Sequence, residues 1–294
     1  MSSRRRLPSQ KRVLARAVRL TLLPALVRTT VQRRRVTILV YHDPAPEILE
    51  RHAAALRRFY TIIPLHELVE AHKEGRVGSL PTRSLVLTID DGHKGNHRLK
   101  PVLERGRIPV TIFLCSGIVG TKRPFWFRHV ARPAELKALS DEDRQLRLSR
   151  LGLAEGVEIA ERDALADHEI EDLKGIADLQ SHTVSHPILP RCPPEKARAE
   201  IEDSRAQLER TYALRVYALA YPDGAYSERE VAIARSSGYD CAVTVDPGFN
   251  TSATDVFRLR RICIDDADGV DVLLVKASGI WDLVKRGLRP APGS

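Results

Sequence analysis

Short apolar runs rich in β-branched residues alternate with longer stretches of helical periodicity after residue 35, and this alternation narrows the fold more than any other feature. Repeated strand–helix units build a parallel sheet, because each strand needs a crossover long enough to bring the next one back alongside it. The clearest runs predict strands over 36–41, 84–89, 110–114 and 241–245, and weaker ones predict strands over 61–63, 177–180, 217–221 and 259–262. The spacing between them predicts helices over 48–59, 66–74, 96–104, 195–212 and 227–237. With 294 residues, 43% hydrophobic and 29% charged, the chain fits one α/β barrel folded as a single main domain. That domain is expected over 36–285, after an arm at 1–35 and before a tail at 286–294. The charged stretch 124–174 reads as an insertion over one barrel rim, with a helical piece over 141–153 and an acidic run at 161–171 that reads as a solvated helix face.

The formal charge of +9 is concentrated in the arm. Eleven of the 47 Lys and Arg lie between Arg4 and Arg35, and the first acid is Asp43, so the rest of the chain holds 36 basic residues against 38 acidic ones. A phosphate-tracking surface over the whole molecule is excluded, and an arm without aromatic side chains has nothing to stack on bases, so nucleic acid is not expected as a partner. The apolar stretch 13–27 is interrupted by Arg16, Arg19 and Pro24 and falls short of the ~20 residues that cross a bilayer. It also lacks the unbroken apolar region of a signal peptide. A basic amphipathic helix remains, either lying on an anionic membrane surface or packed on the domain, with a cleaved or disordered leader as a further reading. The expected location is the cytoplasm or the inner face of the membrane. The four cysteines, Cys115, Cys192, Cys241 and Cys263, show no paired spacing, which fits a reducing compartment.

Two constellations carry chemistry. The run LVLTIDDGH is an apolar strand ending in Asp90 and Asp91, followed by Gly92, at the strand end where parallel barrels keep their active sites. Neighbouring strand residues point to opposite faces, but a turn at Gly92 lets both carboxylates approach one point; capping of the next helix is the bland alternative. The run QSHTVSHP places His182 and His186 four apart, a spacing that on a helical turn puts both imidazoles on one face. Two imidazoles and one carboxylate form a three-ligand set that leaves open positions, as a catalytic metal ion requires. His182, His186 and one carboxylate of the Asp90–Asp91 pair are thus expected to hold one divalent metal ion, with the other carboxylate as a base on its water. Zinc is the first expectation, with cobalt, manganese or nickel also compatible.

These residues resemble the polysaccharide deacetylases of carbohydrate esterase family 4, which share the NodB-homology domain. The family's T-F-D-D-G motif stands here as Thr88–Ile89–Asp90–Asp91–Gly92, and its H-[ST]-x-x-H motif as His182 to His186. The likeness runs from VTILVYHDP through FYTIIPLHEL, LPTRSLVLTIDDG and PVLERGRIPVTIFL to AYPDG. It implies a distorted (β/α) barrel with seven or eight strands, Asp90 as catalytic base, and Asp91 as metal ligand beside both histidines. It also implies a hydrolase that removes an N-acetyl group from an amino sugar of a glycan or lipid-linked saccharide, water on the metal attacking the amide carbonyl.

The chain departs from the family at its third and last motifs. Residues 217–224, YALAYPDG, lack both arginines of R-x-F-R-x-P-Y-G and carry Asp223 in place of the aromatic residue; a backbone N–H after Pro222 could still stabilise an oxyanion. Tyr221 and Asp223 are accordingly candidate substrate or oxyanion residues. The late Leu-x-His motif, which supplies the general acid, has no counterpart, because His186 is the last histidine. His42 and His93 are the strand-end candidates for that role. Trp126, between Phe125 and Phe127, is a candidate platform for a sugar ring or the centre of a local hydrophobic cluster. An alternative function keeps the fold without catalysis, as a carbohydrate-binding or scaffold protein.

Overall fold

The computed structural model describes residues 9–281; the expected tail at 286–294 and the start of the arm lie outside the described residues. Among the described residues eight strands are present: β1 (Thr37–Tyr41), β2 (Thr61–Ile62), β3 (Ser84–Ile89), β4 (Thr111–Leu114), β5 (Asp178–Ser181), β6 (Ala218–Ala220), β7 (Cys241–Val243) and β8 (Ile262–Cys263). All pair in parallel, in the order β7-β6-β5-β4-β3-β1-β8, with β2 beside the start of β3. Leu259 bridges Val243 of β7, while Ile262 and Cys263 pair with Leu39 and Val40 of β1. One short segment therefore ties the outer strands of the row together, and the sheet curls into a distorted (β/α) barrel.

The strands' alternation sorts their side chains into two cores. Leu39, Leu85, Leu87, Ile112 and Leu219 face outward onto Leu49 and Leu56 of the helix Pro46–Arg57 and Ile201 and Leu208 of the helix Pro194–Tyr212. Ile38, Val86, Phe113, Ala220 and Val243 face inward, and Leu65, Leu68 and Val69 of the helix Leu65–Lys73 join them. Burial on both faces explains why these strands read as continuous apolar runs.

Several elements differ from expectation: the strand expected over 259–262 forms at Ile262–Cys263, and the helical piece expected over 141–153 ends at Arg150. The helix expected over 96–104 begins as a 3-10 turn, Lys94–Leu99, and becomes α-helical only at Lys100–Gly106, with Pro101 in the first turn where its missing N–H costs nothing. The helix Val270–Ala277 gave no amphipathic signal because every residue from Val272 to Ala277 is buried. One side of it is covered by the arm, which forms the helices Ser9–Leu20 and Leu23–Thr29. The acidic run is less solvated than its composition suggests. Glu169 is buried on a bidentate pair with Arg162, and Asp163 accepts hydrogen bonds from His129 and the Phe125 N–H.

Candidate metal centre and active site

Asp90 and Asp91 follow β3, and His182 follows β5, so all three stand at the C-terminal end of the barrel. The turn that converges them is sharper than a single glycine provides. Asp91 itself has φ 77° and Gly92 φ 76°, and a Cβ on Gly92 would lie 2.8 Å from Leu114 Cδ2. Thr183, His186 and Asp223 also have positive φ, a conformation that costs a non-glycine residue about 1–3 kcal/mol and gathers at functional sites.

The two histidines meet without the helical turn that their spacing suggests. Residues 182–186 form a non-helical bend with left-handed backbone at Thr183 and His186. The buried carboxylate of Glu200, on the helix Pro194–Tyr212, holds the bend by accepting from Val184 N (2.9 Å), Ser185 N (2.8 Å) and the Ser185 hydroxyl. The two histidines picked out by their spacing do come together, for a different geometric reason.

Asp91, His182 and His186 are buried and each offers a ligand atom within 4.8 Å of the others. Both Nε2 atoms lie 3.3 Å from Asp91 Oδ1. His182 donates Nδ1–H to the Ala220 carbonyl at 2.8 Å, so in its neutral form Nε2 carries a lone pair aimed at a carboxylate oxygen that has no hydrogen-bond partner. Acceptors facing each other in a buried site require a cation, either a proton on Nε2 or a metal ion, and this donor set suits a divalent first-row metal. Burial opposes charge on His182, but Asp90 and Asp91 more than offset it and raise its pKa; burial dominates at His186 and lowers its pKa. Burial also works against ionisation of Asp91, yet the three imidazoles around it hold its carboxyl well below the usual range.

His93 is the third imidazole. Its Nδ1 lies 2.9 Å from Arg128 Nη1, which can only donate, so in the neutral ring Nε2 bears the proton and donates to Asp91 Oδ2 at 2.9 Å. Phe125 packs edge-on against the same ring.

Asp90 meets a residue that the sequence reading passed over. Arg261, fully buried just before β8, makes a bidentate pair with it, Nη1–Oδ1 and Nη2–Oδ2 both 2.7 Å. The guanidinium is itself fixed by the Thr244 carbonyl (2.7 Å) and Thr88 Oγ1 (3.1 Å). Burial would raise the Asp90 pKa, but Arg261 and His182 overcome that and hold it below the ordinary value. The available signal was an arginine inside an expected strand, where a charge must find a buried partner.

The remaining candidates are dispersed. His42 is exposed at the end of β1, its backbone N–H donating to Asp266. Tyr221 is buried, stacked on Tyr226, with its hydroxyl on the Phe257 carbonyl. The Asp223 side chain pairs with Lys137 of the insertion. Trp126 is buried with Leu136 and Leu148 and donates to the His186 carbonyl at 3.2 Å, so its ring serves the packing of the insertion. Phe127 packs on the His186 ring, which brings the insertion against the metal-type cluster.

A parallel barrel with an Asp/His/His cluster and a second carboxylate at its C-terminal rim defines a class, that of (β/α) barrels with a candidate metal centre at the end where such folds keep their active sites. The sequence profile of the family described as polysaccharide deacetylase matches residues 78–242, and the chain belongs to that family. The Bacillus subtilis (strain 168) protein named "Putative polysaccharide deacetylase YxkH" is 23% identical over 181 residues, 61% of this chain and 51% of that protein. The chain thus matches about half the length of this curated relative. The fold is similar to that of the Streptococcus pyogenes deacetylase PplD in complex with acetate (TM-score 0.60, 20% identity, 83% of this chain and 98% of that one). It is also similar to IcaB from Ammonifex degensii (TM-score 0.61, 18% identity, 83% and 96%).

Proposed function

We propose that the protein hydrolyses the N-acetyl group of an amino sugar in a glycan, with Asp90 as general base and Asp91, His182 and His186 holding one divalent ion, zinc first among the metals the site suits. The observation that carries this reading is the division of labour between adjacent carboxylates. Asp91 turns an unpartnered oxygen toward two imidazoles, while Asp90 is oriented by Arg261. An ion in this site would polarise the amide carbonyl and acidify water. Asp90 stays ionised through Arg261, and each of its oxygens keeps a lone pair to receive a proton as the carbonyl is attacked. The backbone N–H of Asp223 stabilises the developing oxyanion, its side chain being drawn aside by Lys137. His42, exposed beside Asp90, delivers the proton to the leaving amine, because His93 is committed on both nitrogens.

Acetate release from a panel of N-acetylated oligosaccharides tests the reading. Asp90→Asn keeps the shape but cannot accept the proton, and should lower turnover roughly 100- to 10,000-fold. Unchanged turnover removes Asp90 from the reaction. Glycan binding with no release by the wild-type chain across the panel would favour the binding-protein alternative, which the absent late histidine supports.

His93 has a separate expected effect. Replacing it with Phe keeps a ring in the packing but removes the hydrogen bond that orients Asp91, and metal affinity should fall about 10- to 100-fold in competition with a chromophoric chelator. Equal affinity would show that His93 does not orient the ligand.

A further inference from the structure

The arm packs on the barrel by a narrow face. Ala15, Val18 and Val27 meet Val272, Val275 and Trp281, Arg19 pairs with Asp271, and Gln32 Nε2 donates to the Ala277 carbonyl and to Thr37 Oγ1. These contacts fix its direction. Asp271 lies five residues after Asp266, whose carboxylate accepts from the N–H groups of His42 and Asp43 at the C-terminal end of β1. Ala277 and Thr37 lie at the other end, where β1 begins. The turn at residues 20–23 therefore stands at the catalytic end of the barrel, and the helix Leu23–Thr29 runs from it toward the floor.

Much of the rest of the arm's surface is apolar and, among the described residues, uncovered. Seven of the ten large apolar side chains exposed among the described residues belong to it, and the most exposed, Leu20 (77%) and Leu22 (85%), sit at that turn. Exposed Arg12 and Arg16 flank this surface, and no acidic residue occurs before Asp43.

We propose that this face of the arm docks on a bilayer containing anionic lipid, and that the leucines at the turn enter the interface so that the catalytic mouth lies next to the membrane. Apolar side chains combined with same-sign charge are the two signals that stable peripheral binding needs. A second copy of the chain fits this face poorly, since symmetric pairing would set arginines against arginines. Nucleic acid fits poorly as well, since phosphate gives the leucines nothing to enter. On the deacetylase reading, the consequence is an acetylated sugar carried at the membrane surface.

Flotation of the full chain with phosphatidylcholine–phosphatidylglycerol vesicles, against pure phosphatidylcholine, tests the docking. The wild-type chain is expected to float with the anionic vesicles, and less so as salt is raised. Leu20→Ser with Leu22→Ser should weaken binding at least about tenfold, the loss expected for two exposed apolar anchors. Arg12→Gln with Arg16→Gln should weaken it roughly fivefold per residue. Leu146→Ser with Leu151→Ser, also exposed but on the insertion, should leave it unchanged. Absence of flotation overturns the proposal, as does equal binding by the Leu20/Leu22 variant. Self-association or DNA binding that depends on these leucines or arginines, without vesicle binding, overturns it too. Acetate release from a soluble oligosaccharide should be the same in all these variants. A chain that floats but releases no acetate refutes the deacetylase reading and leaves docking intact.

Discussion

Replacing Arg261 with Met is expected to destabilise the fold by about 3–5 kcal/mol at neutral pH, because the buried Asp90 carboxylate loses the cation that makes a bidentate pair with it. Adding Asp90→Asn to that variant should restore much of the loss, since no buried charge then remains uncompensated. Denaturant unfolding of the wild-type, single and double variants measures both effects; additive losses would show that the pair is not energetically coupled. The pH dependence has a definite sign. The folded pKa of Asp90 lies below 3.8, so the stability it contributes is fully present above that value and is lost as pH falls through the folded pKa. The gap between wild type and the Arg261→Met variant should therefore be widest above about pH 4 and shrink in stronger acid. Without Arg261, burial drives the Asp90 pKa up, so the acid limb of the rate profile should move to higher pH.

Loading the site with zinc is expected to raise the melting temperature and to be indispensable for acetate release. At a hundredfold excess over Kd a single-site ligand stabilises by about 2.7 kcal/mol, worth roughly 5–10 °C in a domain of this size. A chelator should reverse the gain and abolish turnover, and His186→Ala should remove both responses by deleting one of three ligands. A full thermal response to zinc in the His186→Ala variant would place the ion elsewhere. The His182 pKa is raised above 6.5. Its proton stabilises the metal-free fold below 6.5, and that contribution is lost as pH rises through the folded pKa. A metal ion must displace this proton, so the zinc-induced gain should grow as pH rises through this range. Calorimetry in buffers of different ionisation enthalpy should register release of about one proton per ion below the folded pKa.

The insertion is more closely tied to this chemistry than its position in the chain suggests. Trp126 supports the His186 backbone, Phe127 covers its ring, Arg128 fixes the tautomer of His93, and Lys137 holds the Asp223 side chain. A segment that reads as an insertion over the barrel rim is also part of the scaffold of the metal-type cluster.

The sequence by itself determined the parallel strand–helix architecture and the metal-type residues. Buried parallel strands need long β-branched runs, and an Asp pair at one strand end with two histidines at another is a local pattern that survives without coordinates. Tertiary structure decided what depends on contacts between distant segments. Arg261 reaches Asp90 across 171 positions, and Glu200 shapes the histidine bend from a helix of its own. The helix Val270–Ala277 leaves no periodic trace because it is buried all round. Only the fold shows that the arm both packs on that helix and bares its leucines, because one amphipathic pattern serves either purpose until its partners are known.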